Sequence, residues 1–259
     1  MRILICTDLE GAAGVETMES VFPGGLGYEQ AYAELAKDIN AAASGAFDGE
    51  AKEVVVLDGH GTQGLDFDLI DPRALRGGKK AMDEFKKPFD ALFCIGYHAM
   101  AGTQNAFLDH TQSSASWFEY KLNGRPTGEI GQMAILASYN DAPLILVTGD
   151  EAAVAEAHNF LGDIESVAVK RGIGRNKCET YDKDTSREKI QKKASKAVAS
   201  FIQDPLRYKP YKLVLPAEML LTYCRTDYAD AATLANPKLE RVGPRTVRKI
   251  IHDCLEILP

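Results

Sequence analysis

The chain has 259 residues, of which 45% are hydrophobic and 26% charged, so it can bury a large core and is not a disordered protein. Its formal net charge of -7 argues against nucleic acid as the main partner, because nucleic-acid-binding surfaces are basic. The sequence has no bilayer-spanning apolar run, no signal-peptide core and no Cys-x-x-Cys pair, so we expect a cytoplasmic protein with reduced thiols and no membrane partner.

Short β-branched runs alternate with helical stretches along the first two thirds of the chain. In chain order the patterns predict a strand at 2–7, a helix at 29–47, strands at 53–58 and 91–97, a helix at 129–139, a strand at 144–148, a helix at 150–161 and a strand at 166–170. Continuous apolar strands that alternate with helices indicate a parallel sheet covered on both faces.

One segment interrupts this alternation. Residues 117–122, the turn Asn123-Gly124 and the pair Arg125-Pro126 predict a β-hairpin, which could be an interface ribbon or a core hairpin. The tail then predicts a long basic helix at 186–203, a strand at 211–215 and a final helix at 244–257. We therefore predict an α/β fold with a three-layer parallel-sheet main domain at 1–185, the hairpin inserted at about 115–127, and a smaller C-terminal α+β subdomain at 186–259.

Metal-competent side chains follow three of the predicted strands. Asp8 and Glu10 follow the first strand, His60 the second and His98 the third. Ligands of open α/β sheets bind beyond the carboxyl ends of the strands, and two adjacent carboxylates raise each other's pKa unless a cation lies between them. The pattern predicts a divalent metal site. The alternatives are helix capping plus a surface salt bridge for the two acids, and a structural hydrogen bond for each histidine.

Two further residues are candidate site residues, although the sequence patterns around them are less specific. Glu129 opens a predicted helix, where the helix dipole favours a carboxylate, and the pattern alone favours an ordinary first-turn glutamate. His110 lies in a predicted loop and could be a base, a nucleophile or a transition-state donor, or merely an exposed histidine. Residues 59–64 match Gly-x-Gly-x-x-Gly, but no helix opens there, so we do not predict a dinucleotide site.

In this order the motifs resemble those of the bacterial D-aminopeptidase family encoded with dipeptide transporters. The similarity covers residues 2 to about 169, and one departure is Cys6, where the family has serine; we expect ligation to survive it. The resemblance implies a catalytic His110 and two zinc ions per subunit, with Asp8 bridging the metals. The metal ligands that it implies are Asp8, Glu10, His60, His98 and Glu129.

The resemblance also implies an activity and an assembly. It implies a zinc-dependent aminopeptidase that releases N-terminal residues, D-amino acids in the characterised type, from short peptides by two-metal hydrolysis, and a ring-shaped homodecamer. The alternatives are a metal-dependent phosphatase or other amidohydrolase, for which Arg125 and Lys79 are the candidate phosphate ligands, and a non-catalytic oligomeric peptide-binding protein. Zinc and manganese, and L- and D-residues, remain alternatives at this point.

Overall fold

The computed structural model describes residues 1–259, and short 3₁₀ turns connect some of its strands and helices. The strands are β1 (Arg2–Thr7), β2 (Glu53–Asp58), β3 (Leu75–Arg76), β4 (Ala91–Tyr97), β5 (Trp117–Leu122), β6 (Arg125–Pro126), β7 (Leu144–Asp150), β8 (Glu165–Gly174), β9 (Lys177–Thr180), β10 (Ala217–Tyr223), β11 (Glu240–Arg241) and β12 (Thr246–Ile251). The α-helices are α1 (Tyr28–Asp48), α2 (Ala81–Phe85), α3 (Glu129–Ala137), α4 (Glu151–Leu161), α5 (Lys183–Gln203) and α6 (Thr226–Ala235).

A seven-stranded sheet forms the centre of the molecule, in the order β3-β2-β1-β4-β7-β8-β9. All neighbouring strands are parallel except β9, which runs antiparallel to β8. Strands β4 and β7 are buried along their whole length, because helices cover both faces of a parallel sheet. The predicted bounds of β1, β2 and β4 are confirmed, and so is the α/β fold class.

Two pairs of helices cover this sheet. Helix α1 packs with α5 on one side, and α3 packs with α4 on the other. Arg187 of α5 donates from Nε to Asp38 Oδ1 of α1 at 3.0 Å and also pairs with Glu34, so the basic helix is held to the sheet domain. The proposed division at residue 185 therefore falls inside a helix that covers the parallel sheet. None of the helices combines the length and the apolar character that a bilayer crossing requires.

A second, antiparallel sheet has the order β11-β12-β10-β5-β6. The predicted hairpin is confirmed: Asn123 and Gly124 both have positive φ, at 48° and 77°, as a tight two-residue hairpin turn requires. The hairpin pairs with the tail through β5 and β10. Asn123 reinforces this pairing, because its Oδ1 accepts from Glu218 N and its Nδ2 donates to Val214 O.

Two predicted elements of the tail are wrong. Residues 211–215 form no strand, since the ladder begins after Pro216, which has no N–H to donate. Residues 244–257 form no α-helix but strand β12 and a 3₁₀ turn at Cys254–Glu256. The inward positions of β12 include Lys249, whose Nζ donates to the carbonyls of Glu256 and Leu258 at 2.8 and 2.9 Å. This lysine hides the period-2 apolar pattern of the strand.

Candidate metal centre

The candidate site begins where the chain leaves β1 and runs past the end of β4. Asp8 N donates to Ile95 O, and Gly11 N donates to Gly96 O, both at 2.8 Å. A Cβ at Gly11 would lie 1.9 Å from Tyr97 O, so only glycine permits this approach. The close contact of these two segments places Asp8 and Glu10 beside His98.

The structure brings all five sequence-predicted ligand residues together. His98 Nε2 lies 3.2 Å from Asp8 Oδ2 and 3.4 Å from Glu129 Oε1. His60 Nε2 lies 3.5 Å from Glu10 Oε1. Glu129 reaches the group from the first residue of α3, and its Oε1 also accepts a hydrogen bond from Gln112 N at 2.7 Å. Three strand ends and one helix start therefore converge on one point.

Backbone carbonyls fix the tautomers of two histidines. His98 Nδ1 lies 2.9 Å from Ala99 O, and His110 Nδ1 lies 2.8 Å from Leu108 O. Since a carbonyl oxygen only accepts, each Nδ1 carries a proton, and the neutral ring presents its Nε2 lone pair to the carboxylates. This arrangement is the usual one for histidines that bind metals in proteins.

A hydroxyl cluster holds the ring of His60 in place. Its Nδ1 lies 2.8 Å from Thr62 Oγ1 and 3.0 Å from Tyr32 Oη. Tyr28 Oη donates to Thr62 Oγ1 at 2.8 Å and completes the cluster. Sequence reasoning missed Tyr28, Tyr32 and Thr62 as site residues. The only signal available was a hydroxyl residue two positions after a candidate ligand.

Several polar atoms of the site have no hydrogen-bond partner. Asp8 Oδ2, Glu10 Oε2 and His98 Nε2 are buried and unpartnered. The nearest ligand atoms of Asp8, Glu10 and His98 lie within 4.8 Å of one another, as do those of His98, His110 and Glu129. Leaving buried polar atoms without hydrogen bonds is costly, and a divalent cation would satisfy all of these lone pairs. The residues therefore fit a metal centre.

The electrostatics of the metal-free cluster point the same way. Burial and the Glu10 carboxylate raise the pKa of Asp8 to about 7. Burial opposes the charge on His60, but its hydrogen bond to Glu10 and the surrounding carboxylates raise its pKa to about 9. The pKa of Glu10 is held well below its usual range, because the histidine partners outweigh burial. Without a cation, protons neutralise the site; a bound metal would displace them.

His110 lies against the cluster from the loop that follows β4. Its ring stacks on His98 with centroids 3.8 Å apart, and its Nε2 is 3.8 Å from Glu129 Oε1 and 4.0 Å from Glu10 Oε1. Burial and the neighbouring His98 lower its pKa, which favours the neutral ring.

Two buried acids that sequence reasoning missed hold the loop of His110 in place. Asp150 Oδ2 accepts from Phe107 N at 2.8 Å, and Glu156 Oε2 accepts from Met100 N at 2.7 Å. Asp150 also caps α4 through Ala153 N, so its position as the first residue of a predicted helix was a signal only for capping. Both acids therefore fix the backbone of the loop at positions that precede His110.

Lys170 is another residue that the sequence did not single out. It is fully buried in β8, and its Nζ donates to Glu10 O at 2.8 Å and to Val15 O at 2.5 Å. Burial lowers its pKa to about 8. A lysine as the last residue of a predicted strand was the available signal, because a buried ammonium requires acceptors.

Cys6 and the two candidate phosphate ligands lie outside the cluster. Burial raises the pKa of Cys6 to about 12, so it remains a thiol, with Sγ 3.8 Å from Met133 Sδ. Arg125 packs on the ring of Phe160 at 4.0 Å and donates to Asn159 O. Lys79 lines a separate cleft of about 320 Å³ beside Thr62.

Comparison with known proteins connects this geometry to a family. The sequence profile of the D-aminopeptidase family matches residues 1–259. The D-aminopeptidase of Bacillus subtilis (strain 168) is 28% identical over 264 aligned positions, which cover 99% of this chain and 93% of the relative. The solved structure of the Zn-dependent D-aminopeptidase DppA from Bacillus subtilis, described as a self-compartmentalizing protease, superposes with a TM-score of 0.89 at 26% identity and covers 99% of this chain and 94% of that one. The chain thus belongs to the D-aminopeptidase family.

Proposed function

We propose that this protein is a zinc-dependent aminopeptidase that releases N-terminal residues, D-amino acids among them, from short peptides. The observation that carries the proposal is the set of buried, unpartnered ligand atoms of Asp8, Glu10 and His98 at the carboxyl ends of the parallel strands. The relative of known structure is named Zn-dependent, and both relatives are named D-aminopeptidases, which supports the metal and the reaction.

We propose two ions per subunit, with Asp8 as the shared ligand. Two neighbouring groups of ligand atoms, one with Asp8 and Glu10 and one with Glu129, support room for more than one ion, and the family resemblance supports Asp8 as the ligand that they share. The remaining ligands would be Glu10 and His60 on one side and His98 and Glu129 on the other. Nitrogen and oxygen donors without cysteine are typical of catalytic zinc sites. Zinc bound here would polarise the scissile carbonyl and lower the pKa of water.

His110 is the residue that we propose to move protons. Its Nδ1 is committed to Leu108 O, so the exchangeable position is Nε2, which faces the carboxylates of Glu10 and Glu129. A neutral Nε2 can accept a proton from the attacking water and return it to the departing amine. The Asp150 and Glu156 hydrogen bonds to its loop keep this nitrogen at a fixed distance from the cluster.

The two cations that the sequence offered for the phosphatase alternative lie away from the metal cluster. A phosphate group requires cations beside the metals, and Arg125 and Lys79 both lie outside the cluster. A protein that only binds peptides would not require the Nε2 of His110 beside the carboxylates of Glu10 and Glu129.

Three substrates separate these functions on one preparation of zinc-loaded protein. We expect release of free amino acid from D-Ala-D-Ala and no release of phosphate from p-nitrophenyl phosphate. L-Ala-L-Ala measures the preference for D-residues. Hydrolysis of the phosphate ester alone would make the protein a phosphatase, and binding of peptide without hydrolysis would make it a binding protein.

We also propose that the protein is a homo-oligomer, a decamer by the family resemblance. The relative of known structure is described as self-compartmentalizing, which supports an assembly that encloses its active sites. Sedimentation equilibrium tests the proposal, since a decamer has ten times the chain mass of 28.2 kDa. A mass of 28.2 kDa at micromolar concentration would contradict it.

A further inference from the structure

A cleft of about 450 Å³ opens directly beside His110. Its lining includes the aromatic residues Trp117 and Phe118, and its charged residues are Asp109, Glu119 and Arg175. Phe118 is 58% exposed, so this aromatic wall is available to a ligand. A cleft of this size accommodates one or two amino-acid residues.

Both carboxylates of the cleft already have partners. Asp109 Oδ2 accepts from Gly102 N at 2.7 Å, and Glu119 Oε2 pairs with Lys121 Nζ at 2.7 Å. The acids of the cleft therefore do not define its ligand. Arg175 is the cation of the cleft, and it pairs with Asp109 Oδ1 only through Nε, at 3.5 Å.

The guanidinium of Arg175 keeps donors free. Its Nε lies 3.5 Å from Asp109 Oδ1, its Nη1 has only a 3.4 Å contact with Asn176 Oδ1, and its Nη2 makes no hydrogen bond. Its backbone is fixed, because Arg175 O accepts from Leu108 N at 2.6 Å. This bond ties the turn between β8 and β9 to the segment that carries His110, two residues further on.

We propose that the cleft binds the leaving residue of the peptide and that Arg175 binds the terminal carboxylate of that residue. The inference rests on the proposed peptidase function. His110 must reach the departing amine to protonate it, so the leaving residue lies on the His110 side of the cluster, where this cleft begins. A planar guanidinium binds a carboxylate with two parallel hydrogen bonds, and the aromatic wall accepts an apolar side chain. Arg175 therefore selects short peptides with a free carboxyl terminus.

A pair of matched substrates tests the role of Arg175. In Arg175→Gln we expect kcat/KM for D-Ala-D-Ala to fall by roughly 10–100-fold, mainly through KM, because one charge-assisted pair is lost. The amide D-Ala-D-Ala-NH₂ has no carboxylate, so its kcat/KM should change by less than about threefold. Arg175→Lys should retain part of the preference for the acid, because it keeps the charge without the planar fork.

The control variant is Arg171→Gln. It removes an exposed cation from the preceding strand β8, where Arg171 pairs with Glu179, and should change the kcat/KM of neither substrate. An equal loss on acid and amide would show that Arg175 only holds the loop through Asp109 and would overturn the proposal. No loss on either substrate would overturn it as well.

A binding measurement separates this inference from the proposed function. Calorimetry with N-acetyl-D-alanine and N-acetyl-D-alaninamide on zinc-loaded protein reports carboxylate recognition without turnover. In one outcome the wild type hydrolyses no peptide but binds the acid more tightly than the amide, and Arg175→Gln abolishes this difference in affinity. The proposed peptidase function would then be wrong, and carboxylate binding by Arg175 would be supported. If peptides are hydrolysed but acid and amide bind alike, the function stands and the carboxylate site fails.

Discussion

Asp8 and Glu10 are two residues apart in sequence but differ in their surroundings. Glu10 faces His60 and His110, whereas Asp8 faces His98 and has an unpartnered, buried Oδ2. If Asp8 is shared by both metals, Asp8→Ala should lose both ions, while His60→Ala should weaken one ion more than the other.

Metal analysis of the dialysed variants checks this prediction. Asp163→Ala is the matched control, since its side chain is 87% exposed and it should retain the wild-type metal content. Full occupancy in Asp8→Ala would remove the shared-ligand assignment.

His110 should separate catalysis from metal binding. Its Nε2 lies 3.8–4.0 Å from two carboxylates, and the family resemblance makes it a catalytic residue rather than a ligand. We expect His110→Ala to retain both metals and the fold and to lose roughly 10²–10⁴ in kcat, the usual contribution of a positioned acid–base group.

Bound zinc and peptide hydrolysis are measured on the same preparation of His110→Ala. Loss of metal would identify His110 as a ligand, which its inclusion in a group with His98 and Glu129 would allow. Wild-type turnover with full zinc would exclude it from the mechanism.

At the scale of elements, one buried lysine contacts the segment between β1 and α1 at two points. Lys170 of β8 donates to the carbonyls of Glu10 and Val15 from a fully buried position. Lys170→Met should leave two buried carbonyls unpartnered, at a cost of about 1–3 kcal/mol each in the free energy of unfolding. It should also weaken metal binding, because Glu10 loses its backbone anchor.

Denaturant unfolding and metal titration measure the two effects of Lys170→Met. Lys212→Met is the control: that lysine is exposed and pairs only with Asp141, so its loss should change the free energy of unfolding by less than about 1 kcal/mol. A Lys170→Met variant as stable as this control would contradict the anchoring role.

How far the sequence predicts these elements depends on what each strand buries. Strands β1, β2 and β4 are continuous apolar runs, so the first and last residue of each strand could be predicted. Strands β10 and β12 bury one face only. The inward Lys249 of β12 reads as polar although its stem is buried. Residue patterns do not reveal that the carbonyls of Glu256 and Leu258 are close enough to satisfy its ammonium.

The residues of the candidate site also divide into those that the sequence could predict and those that it could not. Asp8, Glu10, His60 and His98 could be predicted because parallel strands end at a common edge. Glu129 was indistinguishable by pattern from an ordinary first-turn glutamate and entered only through the family resemblance. Lys170 and Glu156 were missed because their partners are backbone groups far away in sequence, Glu10 O and Met100 N.

At the scale of the whole molecule, both sheets position residues of the site. The hairpin of β5 and β6 pairs with β10 of the tail, and the chain passes from it directly into α3 and Glu129. Thr127 N donates to Tyr120 O at 3.0 Å across this passage. The C-terminal sheet therefore fixes the entry of α3 toward the metal ligands, although none of its own strands contributes a ligand.

The stability of the whole molecule should couple to metal and pH. In the metal-free protein the pKa of His60 is raised from 6.5 to about 9, so its protonation contributes stability that is present below pH 6.5 and is lost as the pH rises through 9. Asp8, raised from 3.8 to about 7, acts in the same direction at lower pH. Zinc requires the deprotonated ligands, so its affinity and the stabilisation that it supplies should increase over the same range.

We therefore expect zinc to raise Tm more at pH 8 than at pH 6. Calorimetric scans of chelator-treated and zinc-loaded protein at both pH values measure this difference. In His60→Ala the pH dependence should shrink, because one of the titrating ligands is gone, whereas in His252→Ala, which alters an exposed histidine outside the cluster, it should be unchanged. An equal zinc effect at pH 6 and pH 8, or a larger one at pH 6, would exclude histidine ligation.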